Sequence, residues 1–317
     1  MAYPDLPPDI EETLAKARRL EWWTIFFMST IVLTMGLVLG SSQAMRTAWI
    51  EDMLSLLPPI LFLVSGRVER RAPTEGFPFG FQRTGSLAFF AAAMALTFMG
   101  GFLLYEAVVA LVTAEHPTIG SVHLFGREIW LGWLMLAALT YSVIPPVILG
   151  RMKRPLARKL ADKVLYTDAD MNAADWRTGA AGIAGVIGIG FGYWWADAVA
   201  AGLISFSILK DGLSNLRSAV VELLDGAPRE VGSNEIAQEA KDIARGLNAR
   251  WPDKQVLMRE TGRYLRAVIA TRDEPSDTER ADNILGDEHW RVVEVSRTVG
   301  PEEAAPPASR AARSADE

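Results

Sequence analysis

Along the first two thirds of the chain, apolar residues come in long, nearly unbroken runs. A helix needs roughly 20 such residues to cross the hydrocarbon core of a bilayer. Six stretches have that character: Trp22–Gly40, Thr47–Gly66, Ser86–Val112, Ile129–Leu149, Tyr166–Gly190 and Tyr193–Leu213. The pattern predicts six spanning helices, the fourth broken at Pro145-Pro146. Trp22 and Trp23 open the first run, and Tyr193, Trp194 and Trp195 open the sixth, as suits rings at the headgroup level.

From Val231 onward the periodicity changes. Ile236, Ala240, Ile243 and Leu247 recur at helical spacing behind Ser233 or Asn234 as N-cap. Residues 255–271 then read as two strands about a turn at Thr261-Gly262, Thr278–Leu285 as a short helix, and 289–298 as a third strand. Helix–strand–strand–helix–strand is the order of a ferredoxin-like module. The expected fold is therefore an all-α polytopic membrane domain with six transmembrane helices, followed by a small α+β ferredoxin-like cytosolic domain. The expected boundaries are a cytosolic N-terminal segment at 1–20, the membrane domain at 21–229, the ferredoxin-like domain at 230–299 and a disordered tail at 300–317.

Charge orients this arrangement. Lys16, Arg18 and Arg19 precede the first run, and Arg67, Arg70, Arg71 and Arg83 follow the second. Arg151, Lys153, Arg154, Arg158, Lys159 and Lys163 follow the fourth, and Arg217 and Arg229 follow the sixth. The other connections carry only Arg46, Arg127 or nothing. By the positive-inside rule both termini face the cytosol. The N-terminus begins with prolines and acids rather than with a basic leader segment, so no cleaved leader is expected, and the location is an inner or plasma membrane. The net charge of −6 resides mostly beyond residue 229, which argues against nucleic acid as a partner.

With no cysteine and three histidines, thiolate chemistry and a histidine-rich metal site are both excluded. No Walker-type loop or catalytic triad spacing appears, and no enzyme or bound cofactor is expected. Chemistry enters instead as acid at membrane depth, which by default marks an ion path or relay. Glu51 and Ser55 are four apart, hence on one helix face, and Asp168, Met171 and Asp175 form an i, i+3, i+7 stripe on the fifth run. Two such faces could enclose one cation. Asp52, Asp168 and Asp170 serve equally well as hydrated interface residues, and Met171 as simple packing.

Several motifs together resemble the cation diffusion facilitator family. The stretch Arg70–Phe90 resembles its basic, proline-containing loop and the His-Pro-Phe-Gly segment, with Phe77 in the histidine's place and Pro78, Phe79, Gly80 and Arg83 in register. Tyr105–Ala107 resembles its Tyr-Glu-Ala stretch, Ala196 and Asp197 its Trp-Ala-Asp segment, and Leu223–Glu230 its junction with a cytosolic domain. The resemblance implies a homodimer in the lipid bilayer that exports divalent cations against protons by alternating access. It places the transport site at Glu51, Ser55, Met171 and Asp175, with Asp168 nearby. Only Asp175 is the family's usual residue, and Glu51 is a conservative exchange. Two carboxylates, a hydroxyl and a thioether suit a Mn²⁺-, Fe²⁺- or Co²⁺-like ion better than tetrahedral Zn²⁺. Such a degenerate site equally describes a non-transporting scaffold or the partner subunit of a mixed dimer. His289, alone beside Trp290, is expected to be structural rather than a regulatory metal ligand.

Overall fold

A computed structural model describes residues 6–124, 127–233, 235–252, 255–271 and 290–299. The chain begins with α1 (Pro8–Leu37), α2 (Gln43–Leu54), α3 (Leu57–Val68) and α4 (Thr84–Val112). A short hairpin, β1 (Ser121–Leu124) and β2 (Arg127–Trp130), leads into α5 (Leu131–Lys159), α6 (Lys163–Gly190) and α7 (Trp194–Leu223). Among the described residues, four segments are long and apolar enough to cross a membrane: Pro8–Leu37, Gln43–Val68, Thr84–Val112 and Leu131–Lys159. The helices α6 and α7, of 28 and 30 residues, are not among these four.

The second apolar run is two helices, because Pro58 and Pro59 have no N–H to give the carbonyls of Leu54 and Ser55 four residues earlier. The helix stops at Leu54, Ser55 closes it through its N–H to the Glu51 carbonyl, and α3 restarts with prolines in its first turn. The fourth run behaves in the opposite way. Helix α5 continues through Pro145, Pro146 and Pro155 to Lys159, so the expected break is absent and Lys153 belongs to a helix rather than a loop. Proline is tolerated inside a bundle where neighbouring helices satisfy the freed groups.

Helix α4 lies closely against α7, and α5 against α6 with α1 outside it. The α4–α7 crossing is close enough that a Cβ on Gly100 would lie 2.6 Å from the Leu209 nitrogen, and one on Gly212 would lie 2.6 Å from the Thr97 nitrogen. Small residues permit such backbone approach, which is how helices associate where apolar burial gives no advantage over lipid.

Beyond α7, α8 (Gln238–Arg250) and the strands β3 (Gln255–Thr261), β4 (Tyr264–Thr271) and β5 (Val292–Val299) form a separate core around Ile243, Leu247, Leu265 and Ile269. The sheet order is β3-β4-β5, antiparallel then parallel. Helix α8 starts later than expected and lacks a side-chain cap of its own; the Glu230 carboxylate accepts the Gln238 N–H instead, at 3.3 Å. The expected helix at Thr278–Leu285, His289 and the tail from 300 lie outside the described residues.

The β3–β4 turn is Gly262-Arg263, with φ +63° at Gly262, and it docks on the membrane helices. Gly262 donates its N–H to Ser86 Oγ (3.1 Å), and a Cβ there would meet the Gln82 carbonyl at 2.5 Å, so both the turn and its contact require glycine. Arg263 pairs with Glu69 (3.3 Å) and Asp162 (3.0 Å), while Lys163 bridges Glu222 (2.8 Å) and Glu260 (2.6 Å). These nearly buried polar contacts join the sheet to α3, α6 and α7.

Candidate cation site

Helix α2 is anchored at its start by an acid from another helix. Asp197, in the first turn of α7, accepts hydrogen bonds from Ser42 Oγ (2.6 Å), the Gln43 N–H (2.5 Å) and the Ala44 N–H (3.2 Å). A carboxylate at a helix N-terminus meets unpaired backbone donors and the positive end of the dipole. Asp197 is fully buried, and its role in this fold is to set the position of α2, and with it the depth of Glu51.

Glu51 and Asp175 face one cavity of about 260 Å³ between α2, α4, α6 and α7. Glu51 Oε1 accepts from Thr178 Oγ1 at 3.2 Å, while Glu51 Oε2 and Asp175 Oδ2 are buried without a hydrogen-bond partner. Lone pairs withheld from water and from protein donors are what a cation or a proton would satisfy. Met171 also lines the cavity, alongside Leu96, Ile204 and Ile208, so its thioether borders both the acids and an apolar wall.

Asp211 of α7 completes the rim. Together with Met171, Ala174 and Arg177 it also lines a second cavity of about 250 Å³, which reaches Lys163, Arg229 and Glu230 beside the β-domain. The two cavities therefore adjoin at these residues, between that face of the protein and the two half-buried acids.

The remaining expected residues are placed elsewhere. Ser55 is buried at the end of α2 and is not part of the cavity lining. Asp52 is buried next to Glu51, with Oδ2 unpartnered. Asp168 shares the helix stripe of Asp175 but is held by Lys153, which also reaches Thr24 Oγ1 (3.0 Å) and Glu21 (3.4 Å); Asn172 donates to Asp168 at 3.2 Å. Lys153 and Glu21 are fully buried, so this cluster joins α1, α5 and α6 as an internal ion network. Asp170 pairs with Arg154 at the surface. Among the described residues, no three histidine, cysteine, aspartate or glutamate side chains converge as a metal-binding group.

Sequence reasoning missed Glu21, Lys153, Thr178 and Asp211. For Asp211 a signal existed, since it lies inside the sixth apolar run, four residues after Ser207, which also borders the cavity. For Lys153 there was none: a lysine in a basic stretch reads as a loop cation until its helix is seen to extend.

A family model described as the cation efflux transmembrane domain matches residues 22–224. Among curated proteins, the chain is 23% identical over 201 residues to the manganese efflux system protein MneS of Bacillus subtilis, covering 63% of this chain and 64% of that protein. It is 25% identical over 204 residues to an uncharacterized metal transporter of Schizosaccharomyces pombe, covering 62% of this chain and 51% of that protein. The match thus spans less than two thirds of either relative.

Proposed function

The chain belongs to the cation efflux family, and on that premise we propose that it moves a divalent metal cation out of the cytosol in exchange for protons, with Glu51 and Asp175 as the binding carboxylates. The observation that carries this reading is the pair of unpartnered carboxylate oxygens from α2 and α6 on one cavity. Ionised, the two acids attract a divalent ion. Protonated, they release it, so proton entry and metal exit become alternatives at one place.

In this reading the six apolar runs are six spans, with α2 and α3 sharing one and α6 and α7 forming the last two. A 28-residue helix is about 42 Å long, more than the roughly 30 Å hydrocarbon core requires. Both termini face the cytosol, the β-domain is the cytosolic ferredoxin-like module, and the protein works as a homodimer. The cavity shared by Met171, Arg177 and Asp211 is the cytosolic approach. Relative movement of the α4–α7 pair against α2 and α6 would open and close it.

The donor set favours a Mn²⁺-, Fe²⁺- or Co²⁺-like ion. Two carboxylates, the Thr178 hydroxyl and waters provide oxygen ligands, and only Met171 is soft. Ser55 would shape the site from the end of α2, and Asp168 would act on it only through the Lys153 network. The manganese efflux assignment of the B. subtilis relative agrees with this preference.

A non-transporting scaffold is the second reading, favoured by the lack of three converging metal-ligand side chains among the described residues. Proteoliposome flux under a pH gradient decides between them. Mn²⁺, Fe²⁺, Co²⁺, Zn²⁺, Cd²⁺ and Mg²⁺ are tested singly on the wild type and on Asp175→Ala. Transport of Mn²⁺ or a similar ion, abolished by Asp175→Ala, is expected. Folded, dimeric protein that moves none of these ions would leave the scaffold.

A further inference from the structure

A cavity bordering the α1–α3 helix pair lies away from the two carboxylates, on the face that carries the three-stranded sheet. It measures about 510 Å³, lies between α1 and α3, and is bordered by Arg263 of the β3–β4 turn and Tyr264 at the start of β4. Its lining is both apolar and basic. Leu14 and Phe62 form a buried apolar wall, and Trp22 stands at the rim, 64% exposed. Arg18, Arg67 and Arg70 line the remainder.

Helix geometry explains the convergence. Leu14, Arg18 and Trp22 are spaced i, i+4, i+8 on α1 and therefore share one face. On the facing helix, Leu63 and Arg67 are four apart, and Arg70 follows just past the end of α3. Gly66 lies between them, and a Cβ there would meet nothing within 4 Å, so the groove is open at its floor.

The charges do not cancel. Arg263 and Glu69 are paired with each other, and Arg263 also with Asp162. Arg18, Arg67 and Arg70 form no ion pair or hydrogen bond among the described residues. Three guanidinium groups thus line one groove together with Phe62, Leu63 and Trp22, which lie about one helical turn from Arg18 and Arg67 on the same two helices. Guanidinium forks suit phosphate oxygens, and a tryptophan at a membrane boundary suits the acyl–headgroup junction.

We propose that this groove binds an anionic phospholipid, its phosphate held by Arg18, Arg67 and Arg70 and its upper acyl chain laid against Phe62, Leu63 and Trp22. The proposal rests on the membrane-spanning reading but not on transport. It commits to a lipid rather than a soluble phosphate because Phe62, Leu63 and Trp22 stand about one turn from the arginines on the same two helices. Its position between α1, α3 and the β3–β4 turn would let the lipid brace the contact between membrane helices and β-domain.

The test uses the full chain, delipidated in detergent and titrated with phosphatidylglycerol or phosphatidylcholine of identical acyl chains, with adducts counted by native mass spectrometry. Preference for phosphatidylglycerol of about a hundredfold is expected, from roughly fivefold per arginine. The combined Arg18→Gln, Arg67→Gln, Arg70→Gln variant loses it. Gly66→Leu, which fills the groove and keeps every charge, loses it too. A control with Arg19→Gln, Arg71→Gln and Arg217→Gln keeps it. Each variant is first shown to be monodisperse with an unchanged melting temperature.

Equal binding of the two lipids overturns the proposal, as does an equal loss in the control, which would mean a diffuse charge effect. Displacement of the lipid by millimolar inorganic phosphate also overturns it in favour of a small-anion site. The readout is a bound lipid, so a protein that binds phosphatidylglycerol yet moves no metal fails only the efflux reading.

Discussion

Alanine at Gly100 or at Gly101 distinguishes a helix crossing from mere helix composition. A Cβ on Gly100 would lie 2.6 Å from the Leu209 nitrogen and 2.8 Å from its Cα, where ordinary contact begins at 3.4 Å. The difference, 3.4 minus 2.6, asks α4 and α7 to part by about 0.8 Å. Backbone cannot rotate away as a side chain would, so an overpacking cost of about 1–3 kcal/mol is expected. On Gly101 the same methyl meets only Leu209 Cδ1, at 3.9 Å. Both substitutions gain about 1 kcal/mol of helix propensity. Gly101→Ala should therefore be neutral or stabilising, and Gly100→Ala should fall below it by about 1–3 kcal/mol, a separation of several degrees at roughly 2–4 °C per kcal/mol. Thermal unfolding of both proteins in one detergent, followed by the loss of the monodisperse peak, makes the comparison. Because Ile204, Ile208 and Asp211 ride on α7, Gly100→Ala should also lower metal flux. Equal melting temperatures, or a less stable Gly101→Ala, would show that the α4–α7 crossing is not as close as described.

Four other outcomes are expected. Asp197→Ala leaves three donors at the start of α2 without an acceptor and should destabilise by about 2–4 kcal/mol in thermal unfolding, with Asp197→Asn intermediate. Lys153→Met strands Glu21 and Asp168 in the bundle at about 3–5 kcal/mol; adding Asp168→Asn should recover part of this, and simple additivity in the double-mutant cycle would contradict the network. Asp211→Asn should raise the apparent KM for metal several-fold while kcat persists, unlike Asp175→Ala, and an unchanged KM would remove Asp211 from the approach route. Burial raises the Glu260 carboxyl above its ordinary 4.5, against the pull of Lys163 and Arg291, so its contribution to domain docking is complete below that pH and lost as pH rises through the folded value. Hydrogen exchange at the β3–β4 turn should therefore accelerate with rising pH more in the wild type than in Glu260→Gln, after correction for intrinsic exchange; parallel profiles would contradict it.

Much of the outline was legible in the chain. Apolar run length depends only on how far a helix rises per residue, so Ser86–Val112 anticipates α4 to within two residues at its start. The hairpin about Gly262 follows from the need for positive φ in a two-residue turn. Glu51 and Asp175 stand out as candidates in the sequence too, because acid in an apolar run is costly wherever the helix packs, and the fold brings both to one cavity.

Tertiary structure decided what periodicity cannot carry. Whether proline interrupts a helix depends on what else the freed carbonyls can meet, so Pro58 and Pro59 end α2 while Pro145 and Pro146 are absorbed into α5. Asp168 and Asp175 occupy one stripe of α6, yet a lysine from α5 engages the first, while the second keeps an unpartnered oxygen. Asp211 and Arg18 acquire meaning only from the helices opposite them. A helix face is a property of one segment and can be read from spacing. A cavity belongs to several segments at once, and its partners are chosen by packing.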